Sequence, residues 1–258
     1  MNITLVDDWY LATDRLMGST DVNYAEPNSY MQHNADKIYS YLTGEGFTVN
    51  AISAMLGNMQ VESTINPALI QDTNRWRLPN SAADLSDVPN SVMQNFYDEY
   101  YGLSSGGFGI SLVQWDGKGI TRQKYVGFCI NNNLIWYDGN SALARLIDEK
   151  DRNLQFQTVT IGGVAYNWSN FPYSTASPED LAEAWRAGYE RSVYTPENKA
   201  RRQRNARWWY EYLTGEPPTP PDPPDPPDPP EPPEPTILAP WYYLLLFRRR
   251  NKKEVILK

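Results

Sequence analysis

Residues 54–67 read AMLGNMQVESTINP and place one acidic residue, Glu62, at the end of a helical pattern. The apolar spacing predicts a helix from about Thr48 to Ser63. Asn66-Pro67 ends it, because the residue before a proline avoids the α region. A carboxyl group in the last turn faces the negative end of the helix dipole, which favours its protonated form. Glu62 is therefore a candidate general acid, and the alternative is a surface glutamate at a frayed helix end.

The rest of the chain predicts a mainly helical α+β fold with a small β region. Asn28-Ser29 offers an N-cap for a first helix, while Ser177 and Thr195 cap two later helices, each followed directly by proline. These later helices should run to about 191 and 213, and further helices are predicted near 91–101, 119–132 and 141–155. Two stretches predict hairpins or strand pairs, SSGGFGISLVQWDGKG at 104–119 and TVTIGGVAYNW at 158–168.

Four parts are predicted along the chain. Residues 1–27 form an N-terminal arm or a short strand, and residues 28–215 form the main folded domain. Residues 216–235 contain PPTPPDPPDPPDPPEPPEP, which should adopt polyproline II and act as a stiff acidic linker of roughly 60 Å. Residues 236–258 form a hydrophobic and basic peptide whose apolar part is too short for a bilayer, which needs about 20 residues. We expect it to dock into a larger assembly or, alternatively, to anchor at a membrane surface.

Composition excludes several classes of site. The net charge of −8 argues against a nucleic-acid partner, because phosphate contacts need a basic face. Cys129 is the single cysteine, so no internal disulfide can form. His33 is the single histidine, which argues against metal sites built from several histidines and against Ser-His-Asp catalysis. No feature calls for a metal, a nucleotide or an organic cofactor. The first residues lack a secretory leader, so we expect no export by that route.

Three motifs in order resemble the phage tail lysozyme family, which shares the lysozyme-like fold with goose-type lysozymes and soluble lytic transglycosylases. The resemblance covers about 28–213. The first motif is a Gly-Asn pair followed by Glu-Ser and Asn-Pro, matched by Gly57, Asn58, Glu62, Ser63, Asn66 and Pro67. The second is a glycine-rich strand ending in Gln-Trp, matched by Gly107, Phe108, Gly109, Gln114 and Trp115. The third is Tyr-Glu-Arg, matched by Tyr189, Glu190 and Arg191.

The resemblance implies that residues 28–215 are a catalytic domain with Glu62 as general acid. It also implies that the Gln114-Trp115 strand lines a sugar cleft, where Gln114 can hydrogen-bond a substituent and Trp115 can stack on a sugar face. Ser63, Tyr189 and Glu190 are further candidates for substrate contact. The alternatives are hairpin packing for Gln114 and Trp115, and a helix-end ion pair for the Tyr-Glu-Arg motif.

A second carboxylate stays open at this stage. The sequence departs from a Gln-Trp-Thr ending and has Asp116 instead, and Asp72 follows Glu62 by ten residues. Either one across the cleft allows hydrolysis by a nucleophile or an activated water. With neither, Glu62 alone acts as acid and then as base, as in lytic transglycosylases.

The expected function is cleavage of the bond between N-acetylmuramic acid and N-acetylglucosamine in peptidoglycan by a virion-borne tail lysin. Its partners would be the cell wall and, through residues 236–258, other tail proteins, with membrane contact as an alternative for that peptide. Two other readings are a non-catalytic tail-tip module that binds glycans and a free endolysin. The stiff linker and the C-terminal peptide favour a virion part over an endolysin.

Overall fold

The computed structural model describes residues 3–6, 9–12, 27–70, 88–94, 109–115 and 121–216. These residues belong to a compact unit, Met1–Thr219, and a second unit comprises Pro220–Lys258. Apart from Glu216, the predicted linker at 216–235 and the predicted peptide at 236–258 lie outside the described residues. The predictions for these two segments therefore stay predictions.

The described part is mainly helical, as predicted. Its α-helices are α1 Ser29–Gly44, α2 Val49–Ser63, α3 Thr121–Asn131, α4 Gly139–Asp151, α5 Pro178–Ala184 and α6 Pro196–Thr214. Residues 90–94 are also helical. The predicted caps are confirmed at Asn28, Ser177 and Thr195, because each side chain accepts a backbone N–H three residues on. Thr48 caps α2 in the same way, which the sequence did not predict. No helix among the described residues is long and apolar enough to cross a membrane.

Helix α2 is the centre of the domain. Every residue from Ala51 to Gln60 is buried, so this helix is covered on all sides by other elements. Its neighbours are α1, α5 and α6, and α6 makes the most extensive contact with it. The Glu62 end of α2 emerges from this packing, which fixes the position of the carboxyl group.

The N-terminal residues form a hairpin, where the sequence predicted an arm or a short strand. Strands β1 (Ile3–Val6) and β2 (Trp9–Ala12) pair antiparallel. Asn34 of α1 receives the Tyr10 backbone N–H at 2.9 Å and donates to the Tyr10 carbonyl at 2.8 Å. The Trp9 ring packs so closely on Gly139 that a Cβ there would lie 2.3 Å from the ring. The hairpin is thus anchored on α1 and on the first turn of α4.

The predicted hairpin at 158–168 is confirmed. Strands β3 (Val159–Ile161) and β4 (Val164–Tyr166) pair antiparallel. Gly162 and Gly163 connect them with φ values of 58° and 82°. Two residues of positive φ are what a type I′ turn requires, so the Gly-Gly pair explains the tight connection.

The predicted hairpin at 104–119 is wrong in its described part, 109–115. These residues form a turn, and their one β-type pairing is an isolated bridge from Ile110 to Ile70. Ser111 and Gln114 have φ values of 65° and 48°, and such left-handed residues interrupt an extended strand.

The predicted helix at 178–191 also changes form, because α5 continues as a π-helical segment, Trp185–Glu190.

Gly57 allows α2 and α6 to approach each other closely. A Cβ on Gly57 would lie 2.6 Å from the Ala206 backbone nitrogen and 2.8 Å from the Arg202 carbonyl oxygen. Both neighbours are backbone atoms, which cannot rotate away. The spacing of the two helices therefore depends on the missing side chain at this residue.

We expect Gly57→Ala to destabilise the domain by about 1–3 kcal/mol, because the added methyl group forces α6 away from α2. For a domain of this size the melting temperature should fall by roughly 3–10 °C, measured by circular dichroism. Gly127→Ala is the matched control, because Gly127 is helical and a Cβ there meets nothing within 4 Å. Equal melting temperatures for the two variants would contradict the close approach at Gly57.

Candidate active site

Glu62 lies in the last turn of α2, and the chain turns sharply after it. Thr64 and Ile65 leave the helix with φ values of 53° and 55°. Left-handed backbone is unfavourable for β-branched residues, so surrounding contacts must hold the turn. One such contact is the Ser63 hydroxyl, which donates to the Leu112 carbonyl at 2.7 Å. Ser63 is fully buried, so its hydroxyl holds the turn and does not face a ligand, contrary to the expectation.

Arg202 of α6 joins the groups around Glu62. Its Nη2 forms an ion pair with Glu62, and its Nη1 donates to Glu190 Oε2 at 2.5 Å and to Asn58 Oδ1 at 2.7 Å. Its Nε donates to Asn198 Oδ1 at 3.0 Å. The Arg202 side chain is 2% exposed, while that of Glu62 is 23% exposed. The cluster is therefore buried on the arginine side and open on the Glu62 side.

The π-helical segment delivers Glu190 to this cluster. Single π turns within helices insert an extra residue and often occur at functional sites. Here the turn ends at Glu190, whose Oε1 accepts the Trp185 indole N–H at 3.1 Å. Both carboxyl oxygens of Glu190 are thus bonded inside the protein, and its side chain is almost fully buried.

The environment of Glu190 favours its protonated form. Burial raises the pKa of Glu190 to about 8, against the opposing effect of the Arg202 charge. Glu62 raises this pKa further, through its negative charge and through a hydrogen bond between the two carboxyl groups. At neutral pH Glu190 is therefore largely protonated.

A cleft of about 400 Å³ opens beside the two carboxyl groups. Glu62 and Glu190 line it together with Gly109, Val113, Gln114, Arg191, Ser192 and Val193. The lining thus brings together parts of all three sequence motifs, which lie far apart in the chain. A carboxyl group at the edge of such a cleft can exchange a proton with a bound molecule.

Gln114 lines the cleft. It is half-buried, with its amide nitrogen donating to the Ser111 carbonyl at 2.9 Å and the Leu69 carbonyl at 3.3 Å. These bonds hold the amide in one orientation in the wall of the cleft. Its contact with a sugar stays a proposal.

Trp115 does not line the cleft, which differs from the expectation that it stacks on a sugar. Its side chain is 2% exposed, and its ring stacks on Tyr125 with centroids 4.4 Å apart. Its indole N–H points to the Tyr189 hydroxyl at 3.1 Å and to Glu149 Oε2 at 3.3 Å. Trp115 therefore ties the turn at 109–115 to the core.

Tyr189 is buried as well, and its hydroxyl contacts the buried side chains of Trp115 and Glu149. Its hydroxyl donates to Glu149 Oε2 at 2.5 Å, and Arg145 pairs with the other Glu149 oxygen at 2.9 Å. Burial raises the pKa of Glu149, while Arg145 opposes this shift. Tyr189 is thus buried and bonded to Glu149, so a direct substrate contact is not expected from it.

The two further candidate carboxylates, Asp72 and Asp116, lie outside the described residues. Their roles as nucleophile or base therefore stay predictions. Within the described ranges, no group of three or more histidine, cysteine, aspartate and glutamate residues could hold a metal ion.

Sequence reasoning missed Arg202, Arg145 and Glu149. Arg202 is separated from Glu62 by 140 residues, so no local motif connects them. A signal was present nevertheless, because Arg202 shares a helical stripe with the buried Ala206 and Trp209. A charged residue on a buried stripe requires a partner of opposite charge.

Comparison with known proteins matches this sequence to a family. The family described as phage tail lysozyme matches residues 33–213. A relative is morphogenesis protein 1 of Bacillus phage B103, 33% identical over 189 residues, which cover 73% of this chain. The match covers only 41% of that relative's length. The chain belongs to the phage tail lysozyme family, with its lysozyme-like fold.

Proposed function

We propose that this protein is a glycosidase that cleaves peptidoglycan between N-acetylmuramic acid and N-acetylglucosamine, with Glu62 as the general acid. The observation that carries the proposal is the pair formed by Glu62 and Glu190 on one guanidinium at the edge of the cleft. Glu62 is the more exposed of the two carboxyl groups, and its position suits contact with a glycosidic oxygen.

The pair supplies the proton that cleavage requires. Burial raises the pKa of Glu190 to about 8, so near neutral pH Glu190 holds a proton beside the Glu62 carboxyl group. When a glycan fills the cleft, Glu190 passes its proton to Glu62, and Glu62 passes it to the glycosidic oxygen as the C–O bond breaks. Both carboxyl groups are then ionised: Arg202 balances one of the two charges, and the cationic glycosyl centre balances the other until water or the muramic C6 hydroxyl adds to it.

The same pair argues for single-acid chemistry in the second step. Two-carboxylate mechanisms place the groups on opposite sides of the bond, about 5–9.5 Å apart. Glu62 and Glu190 share one guanidinium, so they approach the cleft from the same side. Glu62 would then act as base on water, or on the muramic C6 hydroxyl as in a lytic transglycosylase, unless Asp72 or Asp116 serves from the far side.

In this proposal the enzyme is part of the phage tail, where it would open the cell wall locally. This placement is supported by the family of tail lysozymes and by a relative named as a morphogenesis protein. Residues 216–235 would then be the spacer and residues 236–258 the contact to other tail proteins.

We expect Glu62→Gln to lower the rate of peptidoglycan cleavage by about 10²–10⁴-fold, because glutamine keeps an acceptor for Arg202 but delivers no proton. The measurement is a digest of purified peptidoglycan by the full chain, with products identified by mass spectrometry. Reducing muramic ends would assign hydrolysis, and anhydro ends would assign transglycosylase chemistry.

The matched control is Glu45→Gln, an exposed glutamate at the C-cap of α1. It also removes a carboxyl group at a helix end, but away from the cleft, so the rate should stay unchanged. An unchanged rate in folded Glu62→Gln contradicts the assignment. Absence of products from the parent chain supports a binding module instead.

Glu190 should make the stability of the domain depend on pH. Its folded-state pKa of about 8 exceeds the value of roughly 4.3 for an unfolded glutamate. The folded state binds the proton more tightly, so the free energy of unfolding falls as the pH rises between these values and levels off above about pH 8. In Glu190→Gln this loss should be absent, which melting temperatures between about pH 5 and pH 9 would measure.

Glu45→Gln serves again as the control and should retain the pH dependence of the parent chain. Identical curves for Glu190→Gln and the parent would contradict the protonated state of Glu190. Peptidoglycan cleavage by the parent chain should decline as the pH rises through about 8, because Glu190 loses its proton there.

A further inference from the structure

The residues Arg191 to Tyr194, here called the rim segment, connect the π-helical segment to α6 along one edge of the cleft. Arg191, Ser192 and Val193 line the cleft directly. Val193 is 81% exposed and Tyr194 is 56% exposed, so two neighbouring apolar side chains face solvent here. Arg191 is exposed as well. The rim segment thus presents one cation and two apolar side chains to solvent beside Glu62.

Buried contacts hold the rim segment in place. Arg191 is left-handed with a φ of 53°, and its backbone N–H bonds to the Arg186 carbonyl at 2.7 Å. Arg186 donates to the Ser192 carbonyl at 2.7 Å, and its guanidinium lies 5.3 Å from the centre of the Tyr194 ring. The segment is therefore preorganised, as binding surfaces of high specificity require.

Arg186 is itself fixed by Glu183. Two parallel hydrogen bonds, of 2.9 and 2.8 Å, join the guanidinium to the carboxylate, and both residues are buried. This pairing satisfies the buried charge of Arg186. Arg191, one turn further on, forms no ion pair with a described carboxylate. Of the two arginines, Arg191 is the one available to a ligand.

The chemistry of the rim segment fits an anionic substituent with methyl groups. A neutral N-acetylglucosamine offers no charge for an arginine. Muramic acid carries a lactyl group, and the attached peptide bears carboxylates and alanine methyl groups. Arginine binds carboxylates through paired hydrogen bonds, and exposed apolar side chains bury methyl groups.

We propose that the rim segment is the subsite for the lactyl-peptide of muramic acid, with Arg191 binding its carboxylate and Val193 and Tyr194 contacting its methyl groups. This inference rests on the proposed function. It implies that Arg191 determines which sugar lies beside Glu62, and therefore which of the two alternating glycosidic bonds is cleaved.

The test uses the full chain carrying Glu62→Gln, so that ligands stay intact, and measures binding by isothermal titration calorimetry. The ligands are a soluble tetrasaccharide-peptide from peptidoglycan and a neutral chitin tetrasaccharide of equal length. Adding Arg191→Gln should weaken binding of the muramyl ligand about tenfold, reduce its salt dependence, and leave the chitin affinity unchanged. Arg191→Lys should retain part of the preference, because it keeps the charge.

Arg152→Gln is the matched control, because Arg152 is an exposed arginine on the C-cap of α4 and does not line the cleft. It should change neither affinity. Equal weakening of both ligands by Arg191→Gln, or no weakening of either, overturns the assignment of the rim segment. Failure of the Glu62→Gln chain to bind either glycan contradicts the proposed function itself, so the two failures are distinguishable.

Discussion

The buried guanidinium of Arg202 is the interaction on which the site depends. It bonds to Asn58 and Glu62 on the central helix α2 and to Glu190 at the end of the π-helical segment. These contacts exist only because α6 passes close to α2, and Gly57 permits this approach. An unpaired buried charge is strongly destabilising. The contacts that satisfy Arg202 therefore also define where the two carboxyl groups lie.

The charge balance of this cluster connects the fold to the chemistry. One guanidinium compensates one carboxylate, and the second carboxyl group is neutral because burial raises the pKa of Glu190 to about 8. The proton is thus held next to Glu62 without an additional charge in the protein interior. A cleft-facing carboxyl with a buried neighbour of this kind resembles the general arrangement by which enzymes keep an acid available near neutral pH.

Local sequence predicted the helix starts and the position of Glu62, because caps and helix ends depend on residues three or four apart. Ser177 and Thr195 are examples, as is the Gly-Gly turn between β3 and β4. The π-helical segment and the turn at 109–115 were not predictable, because long-range contacts determine them. Trp115 illustrates this: its place in the core depends on Tyr189, which is 74 residues away.

The most direct test of the central claim is a crystal structure of the Glu62→Gln chain with a peptidoglycan tetrasaccharide. We predict that a glycosidic oxygen lies within hydrogen-bond distance of the substituted side chain at position 62, about 2.6–3.2 Å, with the Arg202 contacts intact. A glycan bound away from this cleft, or lying in it with no glycosidic oxygen near position 62, would contradict the account.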